Sequence, residues 1–352
     1  MFQDISVENL LQMQKEESLK LIDVRSPSEF EESNIPGSIN IPIFTDEERA
    51  EIGTIYKQVS IEAAKQRGLE IVSAKLPDFI NSFSSIEEQK VIYCWRGGMR
   101  SKTSATLVDL MGIETFRLIG GIHAYRSWVV DKLEELADMF QPDALVLNGY
   151  TGTGKTKILQ LLQEKGYPVL DLEAMANHRG SVFGQIGKRS YNQKMFDIMF
   201  VQKALEVKDS PYVLLEAESK RIGRATVPEF LLRKKEQGFH IFIDLPMEER
   251  VLSILEDYRP WEFPEAVMSA FQKIKKRIHT PIAAQIEKDL QTGEYKSAVQ
   301  LLLEFYYDPR YHHTAEQIPP ERSVVFHVKN VEEAVGKIEK LLAKKLDTSK
   351  VK

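Results

Sequence analysis

One run of eight residues, Gly149-Tyr150-Thr151-Gly152-Thr153-Gly154-Lys155-Thr156, restricts the fold of this 352-residue chain more than any other feature. It fills every fixed position of a phosphate-binding loop, with glycines for the turn and a Lys-Thr pair opening a helix. Such a loop needs a buried strand before it and a helix after it. Ala144–Asn148 reads as that strand and Lys155–Lys165 as that helix. Backbone donors around Gly149, Gly152, Thr153 and Gly154 would wrap a diphosphate, Lys155 would neutralise its outer oxygens, and Thr156 would offer a ligand to Mg²⁺. The acidic partner strand has two candidates, one ending at Glu216 and one at Asp244. No base-reading motif stands out, so a diphosphate site here need not mean nucleotide hydrolysis.

The pattern around the loop extends to a whole α/β unit. Further strands are expected at Tyr167–Leu170, Tyr212–Leu215 and His240–Asp244. From Glu248 helical spacing dominates, through Pro264–Arg277 and Pro281–Thr292, before a last strand and helix at Ser323–Val328 and Val331–Lys345. Upstream, Leu19–Val24, Val91–Cys94 and Phe116–Ile119 read as short buried strands separated by amphipathic helices, which indicates a second sheet with parallel pairs. The pattern resets near Met139-Phe140-Gln141-Pro142-Asp143. We therefore expect an α/β domain over residues 1–138, a P-loop domain with a mainly helical C-terminal part over 139–347, and a frayed tail at 348–352.

Composition removes several classes. With 43% hydrophobic and 28% charged residues the chain is neither disordered nor fibrous. Its apolar stretches fall far short of the ~20 residues of a membrane-spanning helix. Met1-Phe2-Gln3-Asp4 lacks the basic and apolar regions of a signal peptide, so a cytoplasmic protein is expected. Residues 1–140 carry 15 Lys and Arg against 23 Asp and Glu, while the rest carries 32 against 29. Contacts to phosphate or RNA therefore belong more naturally to the second part.

Cys94 is the single cysteine, which rules out an intramolecular disulfide and a cysteine-rich metal site. It opens the segment Cys94-Trp95-Arg96-Gly97-Gly98-Met99-Arg100-Ser101, between a strand and a helix start. Backbone N–H groups, the helix N-terminus and two arginines would favour a thiolate there, and the glycines allow the turn. A core cysteine that merely ends a strand would not explain Gly97, Gly98, Arg96 and Arg100 together. Two further clusters follow the P-loop. Asn177-His178-Arg179-Gly180-Ser181 is cationic and glycine-rich, and Glu216-Ala217-Glu218-Ser219-Lys220-Arg221 mixes carboxylates and bases. His178, Arg179, Ser181, Glu216, Glu218, Ser219 and Arg221 are candidate substrate or tRNA contacts; ordinary charged loops are the alternative. Lys273–Arg277 offers a basic face for RNA or simply a solvated helix face, and Tyr306-Tyr307 through His312-His313 offer rings for base stacking.

The N-terminal part resembles the rhodanese family. The matching residues are Asp23-Val24-Arg25 with Glu29-Phe30, then Ile35-Pro36-Gly37-Ser38-Ile39-Asn40-Ile41-Pro42, the Cys94 turn, and Leu118-Ile119-Gly120-Gly121 with Trp128. That resemblance implies a persulfide or perselenide on Cys94, with Asp23 and Arg25 as scaffold. Five residues, Trp95 to Met99, separate Cys94 from Arg100, one more than many small sulfurtransferases of the fold carry. The wider turn suits a phosphate-type donor, and phosphatase chemistry stays open for it. Joined to the P-loop unit with its His178–Ser181 and Glu216–Gly223 segments, the chain resembles the tRNA 2-selenouridine synthases. Membership would imply S-geranylation of wobble 2-thiouridine by geranyl diphosphate, then replacement of the geranylthio group by selenium from selenophosphate, carried as a perselenide on Cys94. Trp95, Arg96, Gly97, Gly98, Met99 and Arg100 would cradle selenophosphate. The expected partners are 2-thiouridine tRNA and a supplier of selenophosphate; no tightly bound cofactor is expected, and Mg²⁺ at Thr156 is a candidate only. The alternatives are an NTP-dependent kinase or sulfurtransferase with a rhodanese carrier, and a non-catalytic RNA-binding or regulatory protein. Oligomeric state and a cleft common to both steps are left open. The reading requires that the Cys94 side chain reach solvent and that the glycine turn admit a diphosphate.

Overall fold

Each part of the chain builds its own parallel sheet. The computed structural model describes residues 1–16, 18–310 and 318–349. Contacts divide the chain into two units, Met1–Glu135 with Asp197–Val201, and Leu136–Phe196 with the described residues from Gln202 on.

The first unit holds β1 (Gln3–Ile5), β2 (Leu19–Asp23), β3 (Ile39–Asn40), β4 (Gln89–Tyr93) and β5 (Thr115–Leu118). Their order is β1-β5-β4-β2-β3 and every pairing is parallel. Parallel neighbours need crossover connections, which the helices Pro27–Glu32, Ile61–Ser84 and Met99–Leu110 help to supply. With helices on the sheet's faces, β4 is buried continuously from Lys90 to Tyr93. The core gathers Ile22, Val24, Phe79, Phe83, Ile92 and Val108. From β2 the chain passes to β3 on one side, then returns to β4 and β5 on the other. The winding thus reverses between β2 and β4, where the Cys94 turn emerges.

The second unit contains β6 (Asp143–Gly149), β7 (Val169–Leu170), β8 (Tyr212–Glu216), the short antiparallel pair β9 (Arg221–Ile222) and β10 (Ala225–Thr226), β11 (Phe239–Asp244) and β12 (Ser323–His327). Its main sheet is parallel, in the order β12-β11-β6-β8-β7. Here the winding reverses at β6, the strand that feeds the P-loop, which is where α/β sheets open a ligand crevice. The helical C-terminal part, Met247–Tyr258, Pro264–Ile274, Thr280–Thr292 and Tyr295–Leu302, has its own core around Phe271, Ile286 and Ala298. Leu303–Tyr307 continues it as a π-helical turn. The expected basic helix end is in fact a tight 3-10 turn, Lys275–Arg277, where Lys275 pairs with Glu287. The last helix runs Val331–Ser349. Residues 350–352, like His312 and His313, lie outside the described ones.

Candidate functional site

The strand β4 ends directly at Cys94, and Gly98 starts the helix Met99–Leu110 without a side-chain cap. Uncapped helix starts leave backbone donors free. Among the described residues, no N–H from Trp95 to Arg100 donates a hydrogen bond. The turn's shape is held from behind. Ile122 and His123 N–H donate to the Cys94 and Trp95 carbonyls, both at 3.0 Å, and Arg117 Nη1 donates to Gly97 O at 2.9 Å. Gly97 has φ +62° and a Cβ there would sit 2.7 Å from Gly120 N, so only glycine fits.

Two expectations change here. The Cys94 side chain does not face solvent: it is 3% exposed, and its thiol donates to Ser101 Oγ at 3.2 Å. It packs in the core cluster with Ile92 and Ala105, beneath a rim whose Arg96, Gly98 and Met99 are exposed. Arg100 is no free cation of the cradle, because it bonds both oxygens of Glu29, at 2.5 and 3.1 Å. Burial raises the Glu29 pKa, but the Arg100 bond and charge outweigh it and the net shift is downward. Arg96 has no such partner among the described residues. Trp95 stacks edge-on against His123 and under Arg126. Asp23 and Arg25 form a buried pair, and Arg25 also donates to Ser33 O.

The P-loop repeats the device in the open. Gly154, with φ +69°, starts Lys155–Glu164 without a side-chain cap. The N–H groups of Thr151, Gly152, Gly154, Lys155 and Thr156 donate no hydrogen bond among the described residues. A Cβ on Gly152 (φ +83°) would lie 2.7 Å from Arg250 O. Lys155 Nζ folds onto the carbonyls of Gly149 and Tyr150, at 3.1 and 3.4 Å. Gly149 and Thr153 shape the loop rather than face its ligand: Thr153 is fully buried, and its hydroxyl donates to Tyr150 O at 2.8 Å. Gly152, Gly154, Lys155 and Thr156 line a cleft of about 850 Å³.

Arg179, Ser181, Glu216, Glu218 and Ser219 also line this cleft. Arg179 is committed to its wall, donating to Ile186 O and Asp257 O and stacking 4.7 Å over Tyr258. Ser181 shares a hydrogen bond with the Tyr258 hydroxyl. His178 does not contact the cleft: it is 5% exposed and wedged against Gly184 and Gly223. Burial, with Lys188 and Arg179 nearby, pushes its pKa down. Arg221 sits exposed on β9, away from the cleft lining.

Residues the sequence reading missed complete the picture. Glu173, on the short helix Leu172–Ala176, accepts from Thr156 Oγ1 at 3.1 Å. Single ligand atoms of Glu173, Glu216 and Glu218 all lie within 4.8 Å of one another, a grouping able to hold a metal ion. Burial and mutual repulsion drive the carboxyl pKa values of Glu173 and Glu216 upward. Lys188 enters the lining as a cation whose pKa burial pushes down. Arg250 donates to Thr151 O at 3.0 Å, grips Asp308 with both terminal nitrogens and lies over the Tyr150 ring. Finally, an apolar slot of about 50 Å³, walled by Phe183, Val267, Leu290, Val299 and Leu302, adjoins the cleft. Thr151, Ser181, Ile186, Ile254, Tyr258 and Tyr307 line both. Acids placed after β7 and β8 at the crevice end of a parallel sheet were the available signal.

A cysteine turn on one parallel sheet and a P-loop on another define the class, a rhodanese-like domain joined to a P-loop domain. Residues 6–127 match the family model of the rhodanese-like domain, and residues 142–343 match that of the tRNA 2-selenouridine synthase AAA domain. The tRNA 2-selenouridine synthase of Bdellovibrio bacteriovorus is 36% identical over 253 residues, spanning 69% of this chain and 65% of that protein. That of Nitrosomonas europaea is 30% identical over 86% of this chain and 80% of its own. That of Shewanella frigidimarina is 31% identical, over 86% and 90%. The chain belongs to the tRNA 2-selenouridine synthase family.

Proposed function

We propose that the protein converts wobble 2-thiouridine of tRNA into 2-selenouridine in the cytoplasm, through an S-geranyl intermediate, with geranyl diphosphate and selenophosphate as co-substrates. A thiocarbonyl sulfur leaves poorly; alkylated, it departs as a neutral thiol. In the first step the sulfur attacks the allylic carbon and diphosphate leaves. The free N–H groups of the P-loop and Lys155 would stabilise that leaving group, and Mg²⁺ at Thr156 would share its charge. In the second step selenium bonds to C2, the C2–S bond breaks, and geranylthiol is released. The P–Se bond is then hydrolysed.

The observation that carries the prenyl reading is the apolar slot beside the phosphate cleft. A nucleotide base needs polar partners, whereas a prenyl chain needs an oily wall within reach of the diphosphate site. The slot is narrow, so the chain would spread its walls on entry. For the selenium step we assign selenophosphate to the Trp95–Arg100 turn, which must open to uncover Cys94. A perselenide on Cys94 is two electrons more oxidised than selenophosphate and a thiol, so that carrier state needs an external two-electron acceptor. Intact-mass analysis of selenophosphate-treated protein, with and without an oxidant, decides whether Cys94 gains one selenium.

The test of the whole reading is mass spectrometry of 2-thiouridine tRNA incubated with enzyme, geranyl diphosphate and selenophosphate, omitting each in turn. Without selenophosphate the S-geranyl base should accumulate, and without geranyl diphosphate nothing should form. Binding of ATP or GTP but not geranyl diphosphate, with nucleotide turnover, would overturn it in favour of an NTP-dependent transferase.

A further inference from the structure

Three carboxylates face the phosphate cleft within reach of the Lys155 charge, which acts on Glu173 and Glu216, but none of them is ion-paired among the described residues. Glu173 comes from the helix after β7, Glu216 from the last position of β8, and Glu218 from the connection beyond it. No Lys or Arg forms an ion pair with any of the three among the described residues. Lys155, the nearest cation in the loop, spends its hydrogen bonds on backbone carbonyls.

Three acids so close repel one another unless something positive lies between them. Their facing atoms fall within 4.8 Å. Ligands at about 2.1–2.4 Å from one hard cation stand at most about 4.2–4.8 Å apart across it. Two independent observations point to the same place. Glu216 is 1% exposed and its Oε1 has no hydrogen-bond partner; a buried oxygen without a donor is costly, and a cation removes that cost. Gly180 (φ +57°) approaches so closely that a Cβ would lie 2.4 Å from Glu173 Oε1 and 2.9 Å from both Glu218 oxygens. The backbone therefore keeps side-chain atoms out of the space beside these carboxylates.

We propose that Glu173, Glu216 and Glu218 form a preassembled site for one hard divalent cation, of the Mg²⁺ or Mn²⁺ class, that loads before any diphosphate arrives. A lone acid beside a P-loop hydroxyl holds Mg²⁺ mainly through the phosphates. Three protein carboxylates do not need that help. The inference rests on the P-loop reading only for its consequence, that the loaded cation then meets the incoming diphosphate beside Thr156.

The experiment titrates the full-length protein with Mn²⁺ in the absence of any diphosphate, following loss of the free-ion electron paramagnetic resonance signal. One site is expected, displaced by excess Mg²⁺. Glu218→Gln and Glu216→Gln should each weaken it by about tenfold or more, with circular dichroism confirming the fold. Thermal unfolding should rise with Mn²⁺ in the parent and not in Glu216→Gln. No bound Mn²⁺ at millimolar concentration, or unchanged binding in both folded variants, overturns the proposal. Geranyl diphosphate binding is measured on the same sample with and without Mn²⁺, and the outcome is read from both arms. Mn²⁺ bound with no prenyl diphosphate binding would sink the prenyl reading alone; the reverse would sink the cation site alone.

Discussion

The Cys94 turn and the P-loop are the same device in two states of readiness. Both leave a central strand where the winding of a parallel sheet reverses, and both run into a helix started by an uncapped glycine. Both leave a row of backbone donors unused. In the first turn two of the nearby cations are already paired, Arg100 with Glu29 and Arg117 with Asp4, Arg96 stays unpaired among the described residues, and the Cys94 thiol is covered. In the second the donors face an open cleft where Glu173, Glu216 and Glu218 form no ion pair among the described residues. A small anion and a soft nucleophile favour a sealed turn that protects the thiol. A diphosphate with a tail needs an entrance.

The largest expected effect tests the division of labour. Cys94→Ser separates the two selenium routes: a loss of 2-selenouridine on the order of 10³-fold with S-geranyl tRNA accumulating marks selenium carried on Cys94, whereas continued selenation by mass spectrometry marks direct transfer from selenophosphate and removes Cys94 from the chemistry. Lys155→Ala should slow geranylation about 10²–10³-fold, with selenation of pre-geranylated tRNA as the control for folding. An unchanged geranylation rate would strip the P-loop of its part in that step. The sealed character of the first turn predicts a stability effect. Gly97→Ala should cost about 1–3 kcal/mol in denaturant unfolding, whereas Gly98→Ala, with open space around its Cβ and negative φ, should cost under about 1 kcal/mol. Equal losses would mean the turn is not held from behind.

The smallest effect concerns pH. Glu29 titrates below its ordinary value because of Arg100. Its stabilisation is therefore complete above the unfolded carboxyl pKa and is lost as pH falls through the folded one. Glu29→Gln should flatten the acid side of the stability profile by about 1 kcal/mol. A profile identical to the parent's would show that the pair contributes nothing.

Legibility followed sequence distance. The P-loop could be read because its glycines, lysine and threonine are contiguous, and the cysteine turn because two glycines and two arginines crowd one thiol. The Arg100–Glu29 pair could not, since its members lie 71 positions apart. Glu173 carries no local mark; only the crossing from β7 brings it to Thr156. His178 looked like a ligand contact because it sits among arginine, glycine and serine. Its burial is decided by Gly223, which arrives on a separate hairpin.

Arg250 ties the head of the P-loop to Asp308, the residue after the π-helical turn whose Leu303 and Tyr307 line the apolar slot. On the proposed prenyl diphosphate reading, recognition of the charged end and of the oily end of the ligand is thereby mechanically yoked. Re-engineering the slot for a longer chain will shift how firmly the loop grips phosphate, so tail preference and head-group affinity cannot be tuned one at a time.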